Sequence, residues 1–205
     1  MKKLSAVLVV MALVGLLAMP KPAAAGVQFG LKVGGNMAKP TGADLADLDA
    51  TIKNKVGFVG GIFIAFNLSN SFTIQTEVLY TMKGATMTDT VDPSIEGKLY
   101  GDYVEIPLVL KLKLFNLGVQ PYIEAGAYAG FKLSEKMTVL GEEIPMDEAM
   151  LKNNDYGAIV GAGLHLGRNV HIGARYSMGL AKIAADITNP DIKNGVWSAT
   201  IGLGF

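Results

Sequence analysis

Apolar and polar residues alternate one by one along most of the chain that follows residue 26. The segment 72–83 shows this most clearly, because Phe72, Ile74 and Val78 fall on one series of positions and Gln75 and Glu77 on the other. Successive side chains of a β-strand point to opposite faces, so a period of two predicts a strand with two different faces. The pattern predicts eight such strands, at 27–37, 55–66, 72–83, 102–114, 120–133, 155–167, 170–183 and 195–205.

The links between the predicted strands alternate in length. Short, turn-rich links at 67–71, 115–119 and 168–169 alternate with long polar links at 38–54, 84–101, 134–154 and 184–194. An even number of strands, with short periplasmic turns and longer extracellular loops, is typical of an outer-membrane barrel. The sequence therefore predicts an all-β, eight-stranded antiparallel up-and-down transmembrane β-barrel.

The two faces of the predicted strands differ in charge and in side-chain size. One face carries large apolar residues and no charge, whereas the other carries the charged residues and many glycines. The interior of an eight-stranded barrel is barely wide enough for its own side chains, so the face with small residues is expected to point inward. The apolar face then contacts lipid. A secreted, lipocalin-like ligand-binding barrel would place its large apolar side chains inside, and this alternative stays open.

Two local departures from regular strand are predicted. Leu45, Leu48 and Ile52 recur at helical spacing, which predicts a short helix in the first long link. Pro107 cannot donate a hydrogen bond to a neighbouring strand, and a closed barrel has no free edge to accommodate it. We therefore expect a bulge or a local break at Pro107, on the Glu105 side of the lumen.

The first 25 residues have the features of an export signal. Lys2 and Lys3 precede an apolar stretch at 4–19, and three alanines at 23–25 supply small residues at the cleavage positions. We expect a signal peptide at 1–25 and a barrel domain at 26–205. The chain of 205 residues has no cysteine and a net charge of 0, which argues against a disulfide scaffold, a thiolate metal site and a nucleic-acid partner.

Five segments resemble the PorT-like family of bacterial outer-membrane β-barrel proteins. They are GLKVGGN (30–36), IQTEVLYTMKG (74–84), YVEIPLVLK (103–111), PYIEAGAYAG (121–130) and GARYSMGL (173–180). The resemblance implies an eight-stranded barrel in the lipid of the cell outer membrane, with periplasmic chaperones and the barrel assembly machinery as partners during biogenesis. Trp197, Ile201, Leu203 and the final Phe205 fall at alternate positions. This ending is similar to the C-terminal signal by which such barrels are delivered to the assembly machinery.

Charged residues on the inward face are the candidates for chemistry. A charge in a narrow lumen must be paired or hydrated. We expect an ion-pair network that fills and rigidifies the barrel, which predicts a structural or interaction role with a mostly closed polar lumen. The alternative is a narrow channel for ions or small solutes, opened when a carboxylate changes its basic partner. The predicted network contains Lys32, Glu77, Glu105, Lys111, Glu124 and Arg175.

Other residue patterns indicate no catalysis. His165 and His171 flank a predicted hairpin, and we expect them to face each other in the lumen as a satisfied pair rather than as a metal site, since the sequence shows no third ligand at matching depth. The spacing of Ser, His and Asp does not suggest a hydrolase. The sequence thus predicts a protein that is not an enzyme and uses no cofactor. It indicates no particular partner for the extracellular loops.

Overall fold

The computed structural model describes residues 26–41, 50–89, 96–115, 118–140, 142–144, 151–167, 169–181 and 193–205. Within these ranges no helix is long and apolar enough to cross a membrane. The strands are β1 (Val27–Thr41), β2 (Ala50–Lys53), β3 (Lys55–Asn67), β4 (Phe72–Asp89), β5 (Glu96–Lys113), β6 (Val119–Val139), β7 (Glu142–Ile144), β8 (Asn154–Leu166), β9 (Val170–Gly179) and β10 (Lys193–Gly204).

Eight of these strands form a closed antiparallel ring. Its order is β4-β3-β1-β10-β9-β8-β6-β5, and pairing between β5 and β4 closes it. The first and last strands pair along β1 and β10, from Gly30 opposite Gly204 to Thr41 opposite Lys193. The short strand β2 pairs with β4, and the short strand β7 pairs with β6, both at the extracellular end of the barrel. The predicted eight-stranded up-and-down barrel is confirmed.

Several strands run further into the long links than the alternation predicts, whereas β9 ends at Gly179 and not at 183 as predicted. The largest extensions are in β4, β5 and β6, which have 18, 18 and 21 residues. Small or polar residues occupy both faces of these extensions, as at Thr86, Thr88 and Asp89 in β4, so hydropathy does not alternate along them. The predicted helix in the first long link is wrong at Ile52, which lies in β2. Leu45 and Leu48 lie outside the described residues.

The inward and outward faces are those that the sequence predicts. Charged side chains such as Lys111 and Glu77 are buried, whereas large apolar side chains such as Leu108 are exposed on the outside. A close strand contact requires glycine at the inward position 126, because a Cβ atom on Gly126 would lie 2.1 Å from the Leu108 carbonyl oxygen. This arrangement is the opposite of a soluble ligand-binding barrel, so the lipocalin-like alternative does not fit the fold.

Pro107 interrupts strand pairing on one side only. Its pairing with β6 is continuous, opposite Tyr128. On the side facing β4, Leu108 pairs with Thr76 and Glu105 pairs with Leu79. Ile106 and Pro107, which lie between them on β5, have no paired residue on β4 in this described stretch. The register is unchanged across this gap, so the predicted bulge is absent and the predicted break is present. The nearest register shift occurs at Asp102 and Tyr103, opposite β6.

Two ion-pair clusters in the barrel lumen

A group of charged side chains crosses the lumen in its periplasmic half, which we call the lower level. This Arg175 cluster contains Lys32, Glu77, Lys111, Glu124 and Arg175. Arg175 donates from Nη1 to Glu77 Oε2 and from Nη2 to Glu77 Oε1, both at 3.0 Å. Its Nε atom donates to Glu124 Oε1 at 2.8 Å. This planar, two-pronged contact is the strongest geometry available to a guanidinium and a carboxylate.

The strands that carry Arg175 and Glu77 lie on opposite sides of the ring. β9 and β4 are separated by four steps in either direction around the eight strands. A bidentate bond between them therefore spans the full width of the lumen. Both side chains are buried, so the contact lies inside the barrel wall and not at its rim.

Further contacts complete the coordination of the two carboxylates. Lys32 Nζ lies 2.5 Å from Glu77 Oε1, and Gln75 donates to the same oxygen at 2.5 Å. Lys111 Nζ lies 3.7 Å from Glu124 Oε2, which is an ion pair beyond hydrogen-bond distance. Glu77 is consequently well satisfied, whereas Glu124 depends mainly on Arg175.

A second group, the Lys83 cluster, lies nearer the extracellular end and contains Lys83, Glu105, Tyr128, Asp155 and Asn194. Lys83 Nζ lies 2.5 Å from Glu105 Oε1 and 2.7 Å from Asp155 Oδ2. Asn194 and Tyr128 also donate to Asp155 Oδ2, at 2.7 and 3.2 Å. This cluster joins β4, β5, β6, β8 and β10 across the lumen.

Apolar side chains separate the two clusters. Along β6, Glu124 pairs with Lys111 at the lower level, and Gly130 pairs with Glu105 and Asp155 at the upper level. Two inward positions of β6, Gly126 and Tyr128, lie between these two heights. Together with their paired residues on the neighbouring strands they place four side chains in the lumen: Val109, Ile159, Tyr128 and Pro107. Val109, Tyr128 and Ile159 pack together as a buried apolar cluster. The lumen therefore contains a charged layer, an apolar layer and a second charged layer.

The structure distributes the six predicted network residues between two clusters. Lys32, Glu77, Lys111, Glu124 and Arg175 come together, but Glu105 does not join them. Glu105 pairs opposite Leu79, two residues further along β4 than Glu77, which is a rise of about 6.6 Å along the strand. Its partners are accordingly those of the upper level.

Lys83 and Asp155 are the two ion-paired residues of the second cluster that the predicted network does not contain. Asp155 is fully buried and accepts contacts from Lys83, Tyr128 and Asn194. Asp155 has the same parity as the inward residues Gly157, Ile159 and Gly161, so the alternation did place it on the inner face. It was overlooked because it lies at the first position of a predicted strand, where inward and exposed positions look alike.

The comparisons with known proteins agree with this architecture. The profile of the family described as "Outer membrane protein beta-barrel domain" matches residues 19–185. The chain belongs to this family. No curated protein matches it. As an outer-membrane barrel, it is located in the outer membrane, and its apolar outer surface contacts membrane lipid.

Several solved outer-membrane barrels resemble this one. OprG from Pseudomonas aeruginosa is 13% identical, with 88% of this chain and 96% of that chain covered and a TM-score of 0.52. Ail from Yersinia pestis is 21% identical, with 88% and 99% covered and a TM-score of 0.45. The outer-membrane enzyme PagL is 12% identical, with 84% and 98% covered and a TM-score of 0.46. At these identities the likeness concerns the fold alone.

The lipid-facing surface of this outer-membrane barrel includes all four residues of the predicted assembly signal. Trp197, Ile201, Leu203 and Phe205 are exposed on the outside. The ring of Trp197 lies 4.9 Å from that of Tyr176 on the neighbouring strand, forming part of an aromatic border. The Phe205 amide donates to the Phe29 carbonyl oxygen at 2.7 Å, so the last residue is attached to β1.

Proposed function

We propose that this outer-membrane barrel has a structural or interaction role, without catalysis, and that its lumen is closed to ions. The observation that carries the proposal is the bidentate contact between Arg175 and Glu77, which bridges opposite walls of the barrel. The Lys83 cluster and the apolar layer provide two further barriers in series. A conducting path would require all three to rearrange.

The energetic cost of such an opening supports a closed lumen. Separating a buried charge from its partner costs about 3–5 kcal/mol. Because each 1.4 kcal/mol is a factor of ten, one opened cluster would be populated at about 10⁻² to 10⁻⁴. Simultaneous opening of both clusters would be rarer still. The gated channel predicted as the alternative needs an additional driving force, such as an external ligand.

The chemistry of the lumen also supports a role without catalysis. The two histidines contact each other and aromatic rings, with His171 against Phe63 and His165 against Tyr122. Neither histidine hydrogen-bonds to a serine or a carboxylate in the part of the chain that the structure describes, so no described residue completes a hydrolytic triad with them. The strand extensions above the membrane are the surface through which an interaction role would operate.

The proposal also includes the subfamily of the barrel, its export signal and its assembly signal. The quoted segments favour a PorT-like barrel within the outer-membrane family. Residues 1–25 would direct export, and their structure lies outside the described residues. The outward series Trp197, Ile201, Leu203 and Phe205 would bind the barrel assembly machinery after delivery by periplasmic chaperones.

The decisive experiment is the conductance of the purified barrel in planar lipid bilayers. We expect no resolved channel openings for the wild type, for Arg175→Ala or for Glu124→Gln, because the Lys83 cluster still closes the lumen in each variant. Combining Arg175→Ala and Lys83→Ala with Ile159→Ala, which removes bulk from the apolar layer, should produce measurable current. Lys136→Ala, which alters an exposed ion pair, is the matched control.

The same experiment separates the two candidate functions. Discrete openings in the wild type, with amplitude or frequency changed by Glu124→Gln, would establish the gated channel and refute the closed lumen. Heat-dependent electrophoretic mobility must show that each variant is folded before its current is compared.

A further inference from the structure

The two histidines of the chain form a close pair at the periplasmic end of the lumen. His165 on β8 lies directly opposite His171 on β9, one residue pair from the turn that joins these strands. Their Nδ1 atoms are 3.1 Å apart. His171 is only 4% exposed, whereas His165 is half-buried. The pair thus lies just inside the lumen, within reach of the periplasm.

A hydrogen bond between the rings leaves two polar groups unsatisfied. If one Nδ1–H donates to the other Nδ1, the donor ring has a bare Nε2 lone pair and the acceptor ring an Nε2–H group. Both Nε2 atoms are buried and have no hydrogen-bond partner among the described residues. Buried polar groups are normally paired, so the contact between the two rings does not by itself satisfy the pair.

We propose that His165 and His171 bind a divalent transition-metal ion that favours imidazole ligands, Cu²⁺ in preference to Zn²⁺. Metal–nitrogen bonds are about 2.0–2.1 Å long, so two nitrogens 3.1 Å apart subtend an angle of about 100° at a shared ion. That angle lies between the values for neighbouring ligands in square-planar and tetrahedral sites. The two Nδ1 atoms are therefore already placed to share one ion.

The ring of Tyr122 packs against the histidine pair. The ring centroid of Tyr122 lies 4.8 Å from that of His165. Its hydroxyl lies against Gly163 and Gly173, the next inward pair above the histidines, where a Cβ on either glycine would be 2.5 Å from the oxygen. The two glycines thus leave room for the Tyr122 hydroxyl one inward level above the histidines.

The composition of the site indicates an exchangeable ion. The described residues contain no group of three or more His, Cys, Asp or Glu side chains that could hold a metal. Water or the Tyr122 oxygen would therefore supply the remaining ligands, as in open metal sites. Imidazole suits Cu²⁺ and Zn²⁺, whereas Mg²⁺ and Ca²⁺ prefer oxygen ligands, and Cu²⁺ binds such sites most tightly. The Lys111 ammonium group, 4.7 Å from the centre of the Tyr122 ring, would repel a bound cation. The carboxylate of Glu124, 3.7 Å from that ammonium, partly offsets its charge.

The test is Cu²⁺ titration of the folded barrel in detergent, using protein without a histidine tag. Calorimetry should show one equivalent bound, and electron paramagnetic resonance should show two nitrogen ligands. His165→Asn and His171→Asn should each weaken binding by more than the roughly 10–100-fold that outer-shell substitutions cost. Tyr122→Phe should have a smaller effect, and Lys136→Ala should have none.

Two results would overturn the metal site. One is a folded wild-type barrel that takes up no Cu²⁺, or takes it up with no nitrogen signal. The other is a double His165→Asn, His171→Asn variant that binds like the wild type, which would place the ion elsewhere. Because the wild-type spectrum alone reports the nitrogen ligands, the test does not depend on the variants folding.

Discussion

Replacing Arg175 with methionine isolates the contribution of the contact that spans the lumen. Methionine fills a similar volume with a flexible apolar chain, so packing changes little while three hydrogen bonds are lost. Glu77 keeps Lys32 and Gln75, each at 2.5 Å. Glu124 is left with Lys111 at 3.7 Å, too far for a hydrogen bond.

The expected loss follows from this asymmetry. Glu124 becomes a buried carboxylate without a bonded partner, so Arg175→Met should lower the free energy of unfolding by about 3–5 kcal/mol. Adding Glu124→Gln removes the stranded charge. The double variant should therefore be more stable than the sum of the two single losses predicts, by about 0.5–3 kcal/mol.

Urea unfolding in detergent or lipid, followed by tryptophan fluorescence and by the heat-dependent gel shift, measures these differences. The matched control is Lys136→Met, which breaks an ion pair whose side chains are 59% and 61% exposed and should cost about 0–1 kcal/mol. If Arg175→Met and Lys136→Met unfold at the same urea concentration, the Arg175 cluster does not stabilise the barrel and the reasoning fails.

Three further predictions concern the wall of the barrel. Leu108→Arg changes a lipid-facing position that is 57% exposed near the middle of β5, and it should lower the free energy of unfolding in lipid by about 2–4 kcal/mol. Phe115→Arg, beyond the end of the strand, should lower it by only about 0–1 kcal/mol. Equal losses in a urea titration would contradict the placement of Leu108 near the bilayer centre and Phe115 near its edge. Gly126→Ala should destabilise by about 1–3 kcal/mol in the same assay, while Gly97→Ala, whose added Cβ would only touch Val139 Cγ2 at 3.9 Å, should be nearly neutral. Deleting Phe205 should reduce the amount of barrel in the outer membrane of cells without preventing refolding in detergent, and undiminished insertion would refute its role in assembly.

Local patterns were sufficient for most of the architecture. The period of two predicts the strands, and the split between charged, glycine-containing positions and apolar positions predicts which face turns inward. Both inferences depend on sterics that act between near neighbours: side chains alternate along a strand, and a narrow lumen accepts only small or paired groups. The extracellular parts of β4, β5 and β6 escaped prediction because small or polar residues occupy both of their faces, so hydropathy does not alternate there.

The pairing of the lumen charges was decided by the closed ring. Arg175 and Glu77 are 98 residues apart in sequence, and they meet only because ring closure places β9 opposite β4. The stagger between strands sets the height of each residue, so it separates Glu105 from Glu77 and gives Glu105 to Lys83 and Asp155. The sequence by itself determined which residues line the lumen. Only the tertiary structure decided which of them touch, because contact across a barrel depends on closure and stagger, and neither is encoded in the spacing along a single strand.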